Sequence, residues 1–134
     1  MVDLNKHLDR LMSELGDTWE RSNNSLRAPV GRCGRHQRIR IAKKSNEFVF
    51  TSGVLGSKAV SKNARKWRRL ARLVWGINAE QELVCFRFDK EDRLVGEIRH
   101  PADHLDYDEL RCYVLEIAAA CDRLEFLLTG RDVY

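Results

Sequence analysis

The sequence predicts a single α+β domain over residues 1–134: a helix, short antiparallel strands, a second helix, a β-hairpin and a long C-terminal helix. Three observations carry this reading. Apolar residues recur at helical spacing in three separate stretches, and β-rich runs come in pairs divided by short polar turns. A chain of 134 residues that is 43% hydrophobic can also bury one continuous core, and it leaves no room for a second domain.

The elements follow in order. Leu4, Leu8, Leu11, Met12 and Leu15 fall on one side of a helix over 3–15, with Asp3 able to cap its start and Gly16 following its last turn. Short strands are expected near 18–21 and 26–30, separated by the turn-forming Ser22-Asn23-Asn24-Ser25. The runs 38–41 and 47–51, joined by Lys43-Lys44-Ser45-Asn46, read as a hairpin. Residues 60–75 form the second helix, closed by Gly76. Residues 83–88 and 93–98 flank the polar turn Asp89-Lys90-Glu91-Asp92 and give the clearest strand pair. The third helix opens at Asp106, where Glu109 completes a capping box, and runs to Gly130.

No apolar run is long enough to cross a bilayer, and the first residues alternate polar with apolar, unlike a signal peptide. The expectation is a cytoplasmic protein. Cys33, Cys85, Cys112 and Cys121 show no CxxC spacing and read as free thiols in a reducing compartment. The net charge of +4 hides an asymmetry: residues 1–24 sum to −2, residues 25–75 to +13 and residues 76–134 to −7. Such polarity implies either a basic surface facing an anionic partner or two halves that attract one another.

The order of elements resembles the type III secretion chaperone-like fold, and in particular its YbjN-like branch. The similarity is strongest where Val84-Cys85-Phe86-Arg87-Phe88 and Leu94-Val95-Gly96-Glu97-Ile98 lead through Leu105-Asp106-Tyr107-Asp108-Glu109-Leu110 into a helix ending Cys121-Asp122-Arg123-Leu124-Glu125-Phe126-Leu127-Leu128. It spans residues 38–130 in pattern. The resemblance implies a small homodimer that binds another polypeptide or acts in regulation, with no cofactor and no active site. This chain departs from it in one respect. Secretion chaperones of this fold are usually acidic and place the second helix near the dimer interface, whereas here that helix is strongly basic, and two such faces would repel.

That basic face is the strongest functional feature of the sequence. Lys62, Arg65, Lys66, Arg68, Arg69 and Arg72 share one arc of the second helix, and Arg32, Arg35, Arg38, Arg40, Lys43 and Lys44 add charge upstream. Side chains spaced in this way can follow a phosphate backbone, or they can pair with the acidic last third of the chain. Trp67 and Trp75 fall on the apolar arc and are expected in the core, not as platforms for bases. On the third helix, Leu110, Val114, Ile117, Cys121, Leu124 and Leu128 form a core stripe, while Cys112, Leu115, Ala119 and Phe126 form an apolar stripe on the opposite side. A helix that is apolar on two sides is covered on two sides, so the second stripe is the expected dimer interface, unless the N-terminal helix covers it within one subunit.

Signals for chemistry are weak. Cys33, His36, His100 and His104 are zinc-type residues, but Pro101 opposes a helix through the histidines and no second cysteine pair supports them. Asp103, Asp106, Asp108 and Glu109 are better explained by helix capping than by a divalent metal. Gly53-Val54-Leu55-Gly56-Ser57-Lys58 lacks the spacing of a phosphate loop, and no nucleophile elbow or HExxH pair occurs. The sequence therefore points to a non-enzymatic protein-interaction module without metal or cofactor. The alternative is a small nucleic-acid-binding protein using the basic segment 32–72.

Overall fold

The computed structural model describes residues 3–31, 34–62, 67–80 and 83–129. Helix α1 (Leu4–Leu15) is followed by strands β1 (Glu20–Ser22), β2 (Ser25–Pro29), β3 (His36–Lys44) and β4 (Glu47–Leu55). Helices α2 (Ser57–Lys62) and α3 (Trp67–Glu80), strands β5 (Cys85–Phe88) and β6 (Leu94–Pro101), a short 3-10 turn at Ala102–His104 and helix α4 (Tyr107–Thr129) complete the chain. The strands form one antiparallel sheet in the order β1-β2-β3-β4-β6-β5.

Strand alternation decides which side of the sheet is covered. On β3, Gln37, Ile39 and Ile41 are buried while Arg38, Arg40 and Ala42 are exposed. Phe48, Phe50 and Ser52 of β4 lie on the same inner side, as do Leu94, Gly96 and Ile98 of β6. Helix α4 lies across this side with Leu110, Val114, Ile117, Cys121 and Leu124 buried against it. The expected core stripe is therefore the stripe that packs.

Helix α1 covers the β1–β2 end of the sheet. Leu8 and Leu11 are fully buried, and Arg21 reaches from β1 to Asp9 and Asn5 of α1. The Asp3 side chain accepts from the Lys6 amide, as the capping pattern requires. Glu14 accepts from the Tyr107 hydroxyl at 2.5 Å, which ties α1 to the start of α4. That bond holds the Glu14 carboxyl below its usual range, and burial together with Glu14 raises the Tyr107 phenol.

Several boundaries differ from the sequence expectation. β3 and β4 are each nine residues long: β3 gains His36 and Gln37 by pairing with β2 and Ala42 to Lys44 by pairing across the Ser45-Asn46 turn, and β4 gains Ser52 to Leu55 by pairing with β6. The second helix appears as α2 and α3, and it passes through Gly76 instead of ending there. A helical glycine costs only about 1 kcal/mol. Here the continuation is held by Ile77, which packs on the core, and by Asn78, whose side-chain amide donates to the Phe86 carbonyl and accepts from the Phe86 amide, both at 2.7 Å. These bonds occupy main-chain groups on the outer edge of β5 that could otherwise pair with another strand.

Candidate functional site

The expected basic face is only partly within the described residues. Arg65 and Lys66 lie outside them, as does the Lys62 side chain. Arg68, Arg69 and Arg72 of α3 are exposed, and none has a hydrogen-bond or ion-pair partner among the described residues. Trp75 corrects the sequence reading, because it is 75% exposed. The buried side of α3 is centred on Leu70 and Val74, with Ile77 partly buried beside them, and Trp75 lies about 100° round the helix from Val74. The arc assumed for the core was too wide. Arg68, Arg72 and Trp75 instead form one outward row at i, i+4 and i+7.

On α4 the second apolar stripe faces away from the sheet. Cys112 and Phe126 are exposed, and Leu115 and Ala119 are partly buried. Beside it runs a groove of about 500 Å³ between α3 and α4, lined by Ile77, Phe86, Ala120, Leu124, Phe126 and Leu127 among others. Leu127 is 62% exposed at its lip, and the Arg35 guanidinium stands 5.1 Å from the centre of the Phe126 ring.

Beneath the C-terminal half of α4 a polar chain crosses to the sheet. The Ser52 hydroxyl donates to Gln37 Oε1 at 2.8 Å, and Gln37 Nε2 donates to Glu125 at 2.7 Å. Arg35 pairs with Asp122 at 3.0 Å, which joins the basic middle of the chain to its acidic third. Burial raises the Glu125 carboxyl against the opposing Gln37 bond, with Asp122 adding to the rise and Arg35 acting against it. Cys121, buried at the same level, has its thiol pushed up to about 12 by desolvation and is chemically inert at neutral pH.

The outer side of the sheet carries a third feature, a trough of about 630 Å³. Arg38, Arg40 and Lys44 come from β3, while Arg87, Lys90 and Arg93 come from the β5–β6 hairpin. Arg87 and Arg99 both bond the buried Glu97, at 2.5 and 3.0 Å, and Arg93 is held by Asp89 and Glu91. The guanidinium groups of Arg38 and Arg40 have no such partner among the described residues.

The zinc-type residues are not assembled. Cys33 lies outside the described residues, and the strand register puts His36 and His100 at opposite ends of the sheet. His100 meets the Tyr113 hydroxyl at 2.6 Å and His104 is exposed. Asp106 and Glu109 form the expected capping box, each side chain accepting from the other's main-chain amide.

No family model matches the chain, and no curated protein matches it in sequence. Solved structures do match in shape, and they show its fold, an α+β domain built on the same plan as theirs. YbjN of E. coli, a suggested transcription regulator, superposes with a TM-score of 0.57 at 16% identity, over 99% of this chain and 94% of YbjN. A chain of the ExsC–ExsE complex superposes with a TM-score of 0.50 at 13% identity, over 96% of both chains. The fold implied by the resemblance in sequence pattern is therefore the fold this chain has.

Proposed function

We propose that the chain is a non-enzymatic protein-interaction module, chaperone-like or regulatory, that acts as a cytoplasmic homodimer. The observation that carries this reading is the apolar outward side of α4, Leu115, Ala119 and Phe126, standing on a fold shared with a chain of a two-protein complex. Two copies meeting through Cys112, Leu115, Ala119 and Phe126 bury that stripe and keep the basic α3 faces from being pressed together. The described cysteines are free, which suits a reducing compartment.

Sedimentation equilibrium over a concentration series tests the dimer. The wild type is expected at the mass of two chains, and Phe126→Asp at the mass of one with unchanged circular dichroism, because a carboxylate cannot be buried unpaired. A wild type of single-chain mass throughout, or a Phe126→Asp protein that still dimerises, contradicts this interface.

One observation favours a second reading, a small nucleic-acid-binding protein using the segment 32–72. Trp75 is exposed in line with Arg68 and Arg72, which sets a stacking surface beside two cations. Trp75 stands just beyond that segment, and the row lies on a single helix face, so protein binding is the principal reading.

A further inference from the structure

The trough on the outer sheet face gathers basic side chains that are only partly paired among the described residues. Arg27 and Arg38 stand directly opposite one another on β2 and β3, an arrangement that is destabilising between like charges. Arg40 projects from the same side of β3 two residues on. Arg27 has Glu20 at 3.8 Å, whereas Arg38 and Arg40 have no partner among the described residues. The nearest carboxylate in the Arg40 row is Glu97, one strand beyond Thr51, and both its oxygens are taken by Arg87 and Arg99. Two neighbouring guanidinium groups on this face thus have no complement among the described residues.

We propose that this trough receives an acidic segment of a polypeptide partner, with carboxylates of that segment seated on Arg38 and Arg40. This rests on the protein-interaction reading and names the chemistry of the partner. Two features favour a polypeptide over a nucleic acid. Asp89 and Glu91 line the trough with the arginines, and they would repel a phosphodiester chain that carries a charge at every step. A polypeptide can place acidic residues against Arg38 and Arg40 and neutral or basic ones against these acids. Thr51, Gly53, Val54 and Val95 are small side chains in its lining that leave depth for a partner's residues, and among the described residues no aromatic ring lines the trough for base stacking. Arginine can hold a carboxylate with two parallel bonds, as it can a phosphate, so this geometry admits the acidic segment without deciding for it.

Fluorescence anisotropy with the full-length protein tests the proposal. The probes are a fluorescein-labelled peptide of alternating glutamate and serine, a matching lysine–serine peptide, and a labelled single-stranded RNA carrying the same number of charges. The glutamate peptide is expected to bind, and the lysine peptide is not. Arg38→Glu/Arg40→Glu is expected to weaken glutamate-peptide binding by at least about tenfold, and Arg68→Glu/Arg72→Glu to leave it within about twofold. Arg38→Gln/Arg40→Gln serves if the reversed protein fails to fold, and a loss of binding with an unchanged unfolding transition supports the same conclusion.

No binding of the glutamate peptide by the wild type overturns the proposal, as does binding insensitive to the Arg38 and Arg40 changes. Preferential RNA binding that is lost in the same variant also overturns it and makes the trough a nucleic-acid site. Capture from cell extract separates the two levels of inference. If the wild type and Arg38→Gln/Arg40→Gln hold the same protein partner equally well, the trough proposal fails and the protein-interaction reading stands. If the wild type holds no polypeptide, the broader reading fails.

Discussion

Replacing Gly96 with valine is expected to cost the domain about 3 kcal/mol or more, a large part of its total stability. Gly96 sits on β6 between Ser52 of β4 and Phe86 of β5, facing Cys121 of α4. A Cβ at this position would collide with the Cys121 sulfur, and it would also press on Phe86 at 3.2 Å and Val84 at 3.3 Å. All three neighbours are buried, so none can swing away. Overpacking of this kind costs about 1–3 kcal/mol or more. Alanine should be less harmful than valine, and Cys121→Ala should relieve part of the alanine's cost by removing the sulfur. Urea unfolding of the four proteins of the Gly96→Ala and Cys121→Ala cycle measures this. A favourable coupling of about 0.5–3 kcal/mol is expected, and strict additivity would show that α4 does not approach the sheet here.

Phe50→Ala is expected to destabilise by about 3–5 kcal/mol, a large part of the total stability of a domain this size. Phe50 lies on the inner side of β4, with no solvent exposure. Its ring meets Tyr113 of α4 edge-on, with centroids 5.5 Å apart and planes at 72°. Tyr113 in turn bonds His100 on β6, so the phenyl ring fills the angle between two strands and the helix. Truncation leaves a cavity that the sheet cannot close without breaking its ladder. Denaturant unfolding should show a lower midpoint with an unchanged slope, and a loss below about 1 kcal/mol would place Phe50 outside the core.

Much of this architecture is legible in the sequence. The period of Leu110, Val114, Ile117, Cys121 and Leu124 marks the side of α4 that packs, and the capping signals at Asp3 and Asp106 are realised atom by atom. Both hairpins follow from their turns. What periodicity cannot reveal is tertiary. The helix passes Gly76 because Asn78 bonds a strand edge that is distant from it in a propensity argument, and Gly96 reads as an ordinary strand residue until the helix above it is in place. Trp75 sits at the edge of a plausible apolar arc, and only the position of the sheet shows that it faces outward.

The candidate sites were legible to a smaller degree. The arginines of α3 and the outward stripe of α4 are visible from spacing, although Arg65 and Lys66 fall outside the described residues. The trough was hidden by summing charge along the chain. Arg87, Lys90 and Arg93 belong to the acidic last third, yet strand pairing of β4 with β6 and of β6 with β5 carries them across to Arg38 and Arg40. Segment charge describes the chain, whereas a partner meets the folded surface.

The role proposed for this domain is to hold another polypeptide. Affinity capture of the native protein from cell extract, with and without nuclease, tests it most directly, with bound polypeptide identified by mass spectrometry and bound nucleic acid by end-labelling. A protein partner retained in fixed ratio after nuclease treatment is the expected result. Retention of nucleic acid alone, with every co-captured protein released by nuclease, would contradict it.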